Sequence, residues 1–112
     1  RDAEKFLSSV LYGRFWKTAY KTTAMRVLAR AFGSKMYFEL LPFMRDPNPR
    51  LRSGAALALG ELNDPRVIGN LNNHLSHEKE LSVRTAIEKA MSTFRTRQDQ
   101  NRKRKAGARK GL

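Results

Sequence analysis

His74, His77 and Glu78 are the nearest thing in this chain to a metal-binding or acid–base cluster. The two histidines stand three residues apart, and three such side chains could touch one ion. Histidines at a helix end and in the loop after it have a simpler role, because the carbonyl end of a helix attracts positive charge. The reading here is therefore no metal. There is no cysteine, so thiolate ligands, thiol nucleophiles and disulfides are excluded. Gly54, Gly60 and Gly69 lack the Lys-Ser/Thr ending of a phosphate-cradling loop and fit close helix contact or helix termination instead. No serine sits in a nucleophile elbow and no carboxylate pair has an evident pocket. The expectation is a protein that is not an enzyme and needs no cofactor.

The basic residues carry the stronger chemical signal. Arg14, Lys17 and Lys21 are spaced i, i+3, i+7 and share a helical face, and Arg26 and Arg30 stand one turn apart. No acid accompanies them on that segment, whereas a solvated helix face usually mixes signs. Phe15, Trp16 and Tyr20 interleave with these bases and could stack on nucleobases. For Phe15 and Trp16 core packing is the simpler role. A second basic group holds Arg95, Arg97, Arg102, Lys103, Arg104, Lys105, Arg109 and Lys110, the last two following a small Ala-Gly-Ala segment. That run resembles the extensions of ribosomal proteins, which neutralise RNA phosphates and order on binding. The same four-base cluster also fits a nuclear-localisation signal. A membrane-surface patch fits less well, since no hydrophobic anchor accompanies the bases.

These bases are unevenly distributed. The 112 residues carry a net charge of +13. From Lys5 to Lys35 there is no acid, the stretch from Glu39 to Phe94 is balanced, and from Arg95 onward only Asp99 is acidic. Two like-charged zones repel each other in the isolated protein, and a polyanionic partner would relieve that repulsion. No window is apolar for the length a membrane span needs, so no membrane insertion is expected.

The elements that must position these bases are helices. Ala3, Phe6, Leu7, Val10 and Leu11 line one face of a helix over 2–11, interrupted by Gly13. A second helix is predicted over 14–32, with Phe15, Trp16, Ala19, Ala24, Val27, Leu28 and Ala31 on its apolar side and Gly33 as its stop. A third covers 35–45, where Pro42 should kink or shorten it. Asn48-Pro49 and Asp64-Pro65 each place a capping side chain before a proline and open helices at about 49–62 and 65–76. A sixth helix spans 81–94. The segment from 98 lacks an apolar face and reads as extended and disordered when free.

The helices repeat. Placing Arg52 on Arg84 matches Leu51 with Val83, Gly54 with Ala86, Ala58 with Ala90 and Leu59 with Met91. Placing Lys21 on Arg52 matches Ala24 with Ala55, Leu28 with Leu59 and Leu40 with Leu71. Small residues thus recur where helices approach and large ones where a core is filled. The run Met44-Arg45-Asp46-Pro47-Asn48-Pro49-Arg50-Leu51-Arg52, with Ala55-Ala56-Leu57-Ala58-Leu59-Gly60 after it, resembles a HEAT repeat. Its short period is similar to that of phycobilisome-lyase-like HEAT proteins, below the ~40–47 residues of longer HEAT and armadillo repeats. The resemblance implies an all-α solenoid of about three helix pairs (2–32, 35–62 and 65–94) that binds partners rather than performing chemistry. It also implies that Arg52 and Arg84 tie neighbouring units together through an acidic loop residue. Lys21 stands at that place in the first unit and departs from the pattern. Deoxyhypusine hydroxylase, an iron enzyme with related repeats, carries His-Glu pairs at the start of its second helices. Here those places read Ser53-Gly54 and Thr85-Ala86, so the iron pattern is absent.

The sequence therefore predicts a helical repeat domain over 1–97 and a basic extended tail over 98–112. The expected role is a non-catalytic adaptor on rRNA or other structured RNA, beside neighbouring proteins of a large assembly. The non-Met start, the basicity and the unusual repeat module point to a mitochondrial ribosome, with nuclear or cytoplasmic placement as the alternatives. The rival function is a protein-interaction scaffold or an accessory subunit of a non-ribosomal complex such as a respiratory one.

Overall fold

A computed structural model describes residues 2–13 and 16–110, with side chains through residue 107. Among these residues there is no strand. The elements are α1 (Asp2–Tyr12), α2 (Thr18–Phe32), α3 (Tyr37–Leu40), α4 (Pro49–Gly60), α5 (Arg66–Leu75) and α6 (Leu81–Lys110). Short 3-10 turns, Gly33–Met36 and Leu41–Arg45, flank α3. Pro42 explains the second of these: it has no N–H to continue the α ladder, so the third helix is shortened, its α-helical part ending at Leu40. Gly33 closes α2 at φ 60°, a backbone state only glycine adopts without strain.

The Asn48-Pro49 signal acts as expected, whereas α5 opens one residue late, at Arg66, with Pro65 as its N-cap residue and Asp64 before it. The Asn48 side chain accepts from the Arg50 backbone N–H at 2.9 Å, and Asp64 accepts from the Arg66 N–H at 3.0 Å. Each satisfies a donor that a helix start would otherwise leave open. The second helix begins later than expected, at Thr18, with Lys17 as its N-cap residue. Arg14 and Phe15 lie outside the described residues.

The helices α2, α4 and α6 pack side by side, and α1, the α3 segment and α5 lie against them. One core runs the length of the stack, from Val10 and Leu11 through Leu28, Leu40, Leu59 and Leu71 to Ile87 and Phe94. The α2 face departs from the expectation. Met25 and Ala29 are buried with Ala24 and Leu28, while Val27, Ala19 and Ala31 face outward and Trp16 is 40% exposed rather than packed inside.

The repeat register is a contact register. A Cβ on Gly54 would meet the Thr22 side chain at 2.6 Å, and one on Gly60 would meet the Ala90 backbone oxygen at the same distance. Those two glycines let α4 approach α2 on one side and α6 on the other. Arg52 donates to both oxygens of Glu78 in the next loop, at 3.0 and 3.2 Å, and to the carbonyls of Asp46 and Pro47. Arg84, its equivalent, donates to the carbonyls of Leu75 and Glu78 but has no acid partner among the described residues. The tie implied for both arginines thus holds in full for Arg52 alone. At the corresponding place between the first two units an Asn48 amide donates to the Thr18 hydroxyl, and no hydrogen bond from the Lys21 side chain is present.

The extended tail is corrected. Helix α6 continues without a break to Lys110, about 45 Å at 1.5 Å per residue. From Arg95 to Lys110 the chain holds no proline and one glycine, Gly107, and is mostly arginine, lysine, glutamine and alanine. These are good helix formers, and extending an existing helix avoids the cost of nucleating a new one. Asp99 and Arg102 add an i, i+3 ion pair. The boundary at residue 98 therefore falls inside an element.

Candidate functional site

The bases of α2 divide into two groups. Lys17 and Lys21 stand one turn apart, as do Arg26 and Arg30, but nine residues separate the groups, which is two and a half turns. They face opposite sides of the helix. The face expected for Arg14, Lys17 and Lys21 is described only for the last two; Lys17 is exposed and Lys21 half-buried.

The Arg26 side has the richer surroundings. A groove of about 560 Å³ runs between α2, α4 and the start of α6, lined by Arg26 and Arg50 together with Ala19, Thr22, Pro49, Gly54 and Leu57. A second recess shares Arg26 and Leu57 and adds Arg30, Glu61, Lys89 and Thr93. Arg30 is not free, as its helix alone suggested. It grips Glu61 of the next unit with two hydrogen bonds, at 2.7 and 3.2 Å. Arg97 donates to the Glu61 backbone oxygen at 2.6 Å and also lines a third recess with Asn63, Gln100, Asn101 and Arg104.

The first two recesses share Arg26 and Leu57, and the Arg97–Glu61 hydrogen bond ties the third to the second. They form one strip from Arg50 past Arg26, Arg30 and Lys89 to Arg97 and Arg104. Glu61 is the one acid among their lining residues. Its carboxyl lies below the usual carboxylate range, chiefly through the Arg30 hydrogen bond; partial burial opposes this, and the charges of Arg30, Arg97 and Arg26 reinforce it. One carboxylate facing that many guanidinium groups leaves positive charge unspent. Such a strip favours an extended anion.

Beyond it, α6 projects Arg102, Lys103, Arg104 and Lys105 into solvent, all exposed. Arg102 pairs with Asp99, which is itself exposed. Arg95 is exposed; Arg109 and Lys110 belong to α6 by backbone, and their side chains lie outside the described set. Four consecutive helical residues point in four directions, so this end of α6 is basic all round, not along one stripe. The sequence reading missed Arg50 and Lys89. Each sits in the charge-balanced middle of the chain, and only the stacking of α4 and α6 beside α2 brings them to the strip.

The histidines are occupied structurally. His74 Nε2 lies 3.0 Å from a Glu78 oxygen, and His77 Nδ1 lies 3.0 Å from the Asn73 carbonyl. Burial alone would raise the Glu78 carboxyl. Hydrogen bonds from Arg52, His74 and the Glu80 N–H outweigh it and pull the carboxyl down to about 2. Among the described residues no group of three or more His, Asp or Glu side chains is placed to hold a metal ion, and no helix is long and apolar enough to cross a membrane.

A family model described as HEAT repeats matches residues 7–106. No curated protein and no solved structure matches the chain.

Proposed function

We infer function from one premise: the chain belongs to the HEAT-repeat family. HEAT repeats suggest an interaction or scaffold role, so the question is what this scaffold holds. We propose that it is a non-catalytic adaptor for structured RNA in a large ribonucleoprotein, such as a mitochondrial ribosome. The observation that carries this is the basic strip from Arg50 to Arg104, continued by the exposed bases of α6 and balanced along its recesses by Glu61 alone. Guanidinium and ammonium groups strung along one surface suit the phosphates of a nucleic-acid backbone. The likeness of the Arg102–Lys110 run to ribosomal extensions and the net charge of +13 support the same reading. Here the extension would enter an RNA groove as a preformed helix.

The groove between α2 and α4 favours a second reading. Its lining combines Leu57 and Pro49 with Arg26 and Arg50, which suits an acidic peptide. Titration with a structured RNA and with an acidic peptide at several salt concentrations separates the two. For RNA, log affinity falls by about 0.7–0.9 per phosphate contact for each log unit of salt. Replacing Arg102, Lys103, Arg104 and Lys105 with alanine should weaken RNA binding and flatten that slope by about 3. The Tm should stay nearly constant, since those side chains are exposed. RNA binding with an unchanged slope would remove the extension from the interface, and tighter binding of the peptide would favour the scaffold reading.

A further inference from the structure

The second helices each carry a row at i, i+3, i+7 that meets the unit before it. In α4 the row is Leu51, Gly54 and Ala58; in α6 it is Val83, Ala86 and Ala90. Leu51 and Ala58 are 6% and 1% exposed, Val83 and Ala90 fully buried. Gly54 abuts Thr22 and Met25 of α2, and Ala90 abuts Gly60 of α4. The repeat register places Tyr20, Thr23 and Val27 at the same positions in α2. There the row is open: Tyr20 is 56% exposed and Val27 42%. Phe6 of α1, 58% exposed, continues the patch through Trp16, whose ring meets both Phe6 and Tyr20 edge-on.

The opposite end of the stack is different. The row by which α4 meets the following unit is Ser53, Ala56 and Gly60; its counterpart in α6 is Thr85, Glu88 and Ser92, all exposed and polar. One end of the stack is thus finished for water, and the other presents the exposed Tyr20 ring and Val27, with Thr23 between them, at positions the same register covers elsewhere.

We propose that the Tyr20–Thr23–Val27 row is a docking face for a further helix pair of the same repeat type, one presenting a small, apolar row. The internal interfaces define that chemistry, because each such row here receives small or slender side chains from its neighbour. A second copy of this chain fits poorly. In the register of the Gly60–Ala90 contact its outward row would bring Ser92 onto Val27 and Glu88 onto Thr23, a polar row against Tyr20 and Val27, and two chains of net charge +13 repel. Nucleobases fit poorly too, since the Phe6–Trp16 and Trp16–Tyr20 rings stand at 83° and 81° and give no parallel platform.

The test fuses a copy of residues 33–65, which carries the Ser53, Ala56 and Gly60 row, ahead of the intact chain. The expected result is a Tm rise of roughly 5 °C or more, a blue shift of Trp16 emission and slower amide exchange in α2. Tyr20→Asp with Val27→Asp should leave the Tm of the unfused chain nearly unchanged, because both side chains are exposed, and should abolish the gain in the fusion. A companion fusion with Val27→Ala restores the small residue of α4 and α6, so a simple clash cannot explain a failure. No gain in either fusion, or a gain that survives the aspartates, overturns the proposal. So does dimerisation of the unfused chain, or quenching of Trp16 by single-stranded oligouridylate, if the same aspartates abolish it.

Discussion

Glu78 is the residue on which the second and third units depend. Its carboxylate accepts from Arg52, lies beside His74 and holds the Glu80 backbone N–H at 3.1 Å. Its folded value near 2 lies below the ordinary 4.5, so the stability it contributes is complete above about pH 4.5. That stability is lost as pH falls from there through about 2. Arg52→Ala leaves the buried carboxylate uncompensated and frees the Asp46 and Pro47 carbonyls. Urea unfolding at pH 7 should show a loss of about 2–4 kcal/mol, shrinking toward pH 2 as Glu78 takes up a proton in the parent protein. An equal loss at both pH values would mean that packing, not charge, is what Arg52 supplies. Arg52 was legible in the sequence as the repeat's arginine. Its partner was not read there, because Glu78 was grouped with the histidines beside it.

At the scale of elements, the small residues decide how closely the helices stack. Gly60 and Ala90 are in direct contact, and a Cβ on Gly60 would lie 2.8 Å from the Ala90 Cα. Backbone cannot yield as a flexible side chain can. Gly60→Ala should therefore destabilise by about 1–3 kcal/mol through overpacking, against up to about 1 kcal/mol of helix propensity gained. Thermal unfolding measures the net effect, and a raised Tm would show that α4 and α6 are free to separate. The starts of α4 and α5 were legible because Asn48-Pro49 and Asp64-Pro65 are local signals. The length of α6 is not legible from an apolar face, because residues after Phe94 have none and the upstream helix already supplies the nucleus. The apolar side of α2 was also misplaced. Val27 and Trp16 are hydrophobic, but the packing around α2 buries Met25 and Ala29.

For the whole molecule, the charge is spread along the second-helix side and the projecting end of α6, with few acids to balance it. Self-repulsion should lower the stability of the isolated protein at low ionic strength. Raising salt from about 10 to 150 mM shortens the screening length from about 30 to 8 Å and should raise the Tm. A Tm that falls over that range would show that ion pairs such as Arg30–Glu61 outweigh the repulsion. The sequence by itself determined the helical class, the repeat register, the caps and the excess of positive charge, because each is written in spacing along one chain. Only the tertiary structure decided which bases act together. Arg50 and Lys89 join Arg26 because three helices from three units lie side by side, and Arg30 is tied down because Glu61 arrives from the neighbouring unit. The same stacking leaves Tyr20 and Val27 uncovered. A helix's period fixes which residues share a face, but the neighbour that face meets is settled by packing between segments some thirty residues apart.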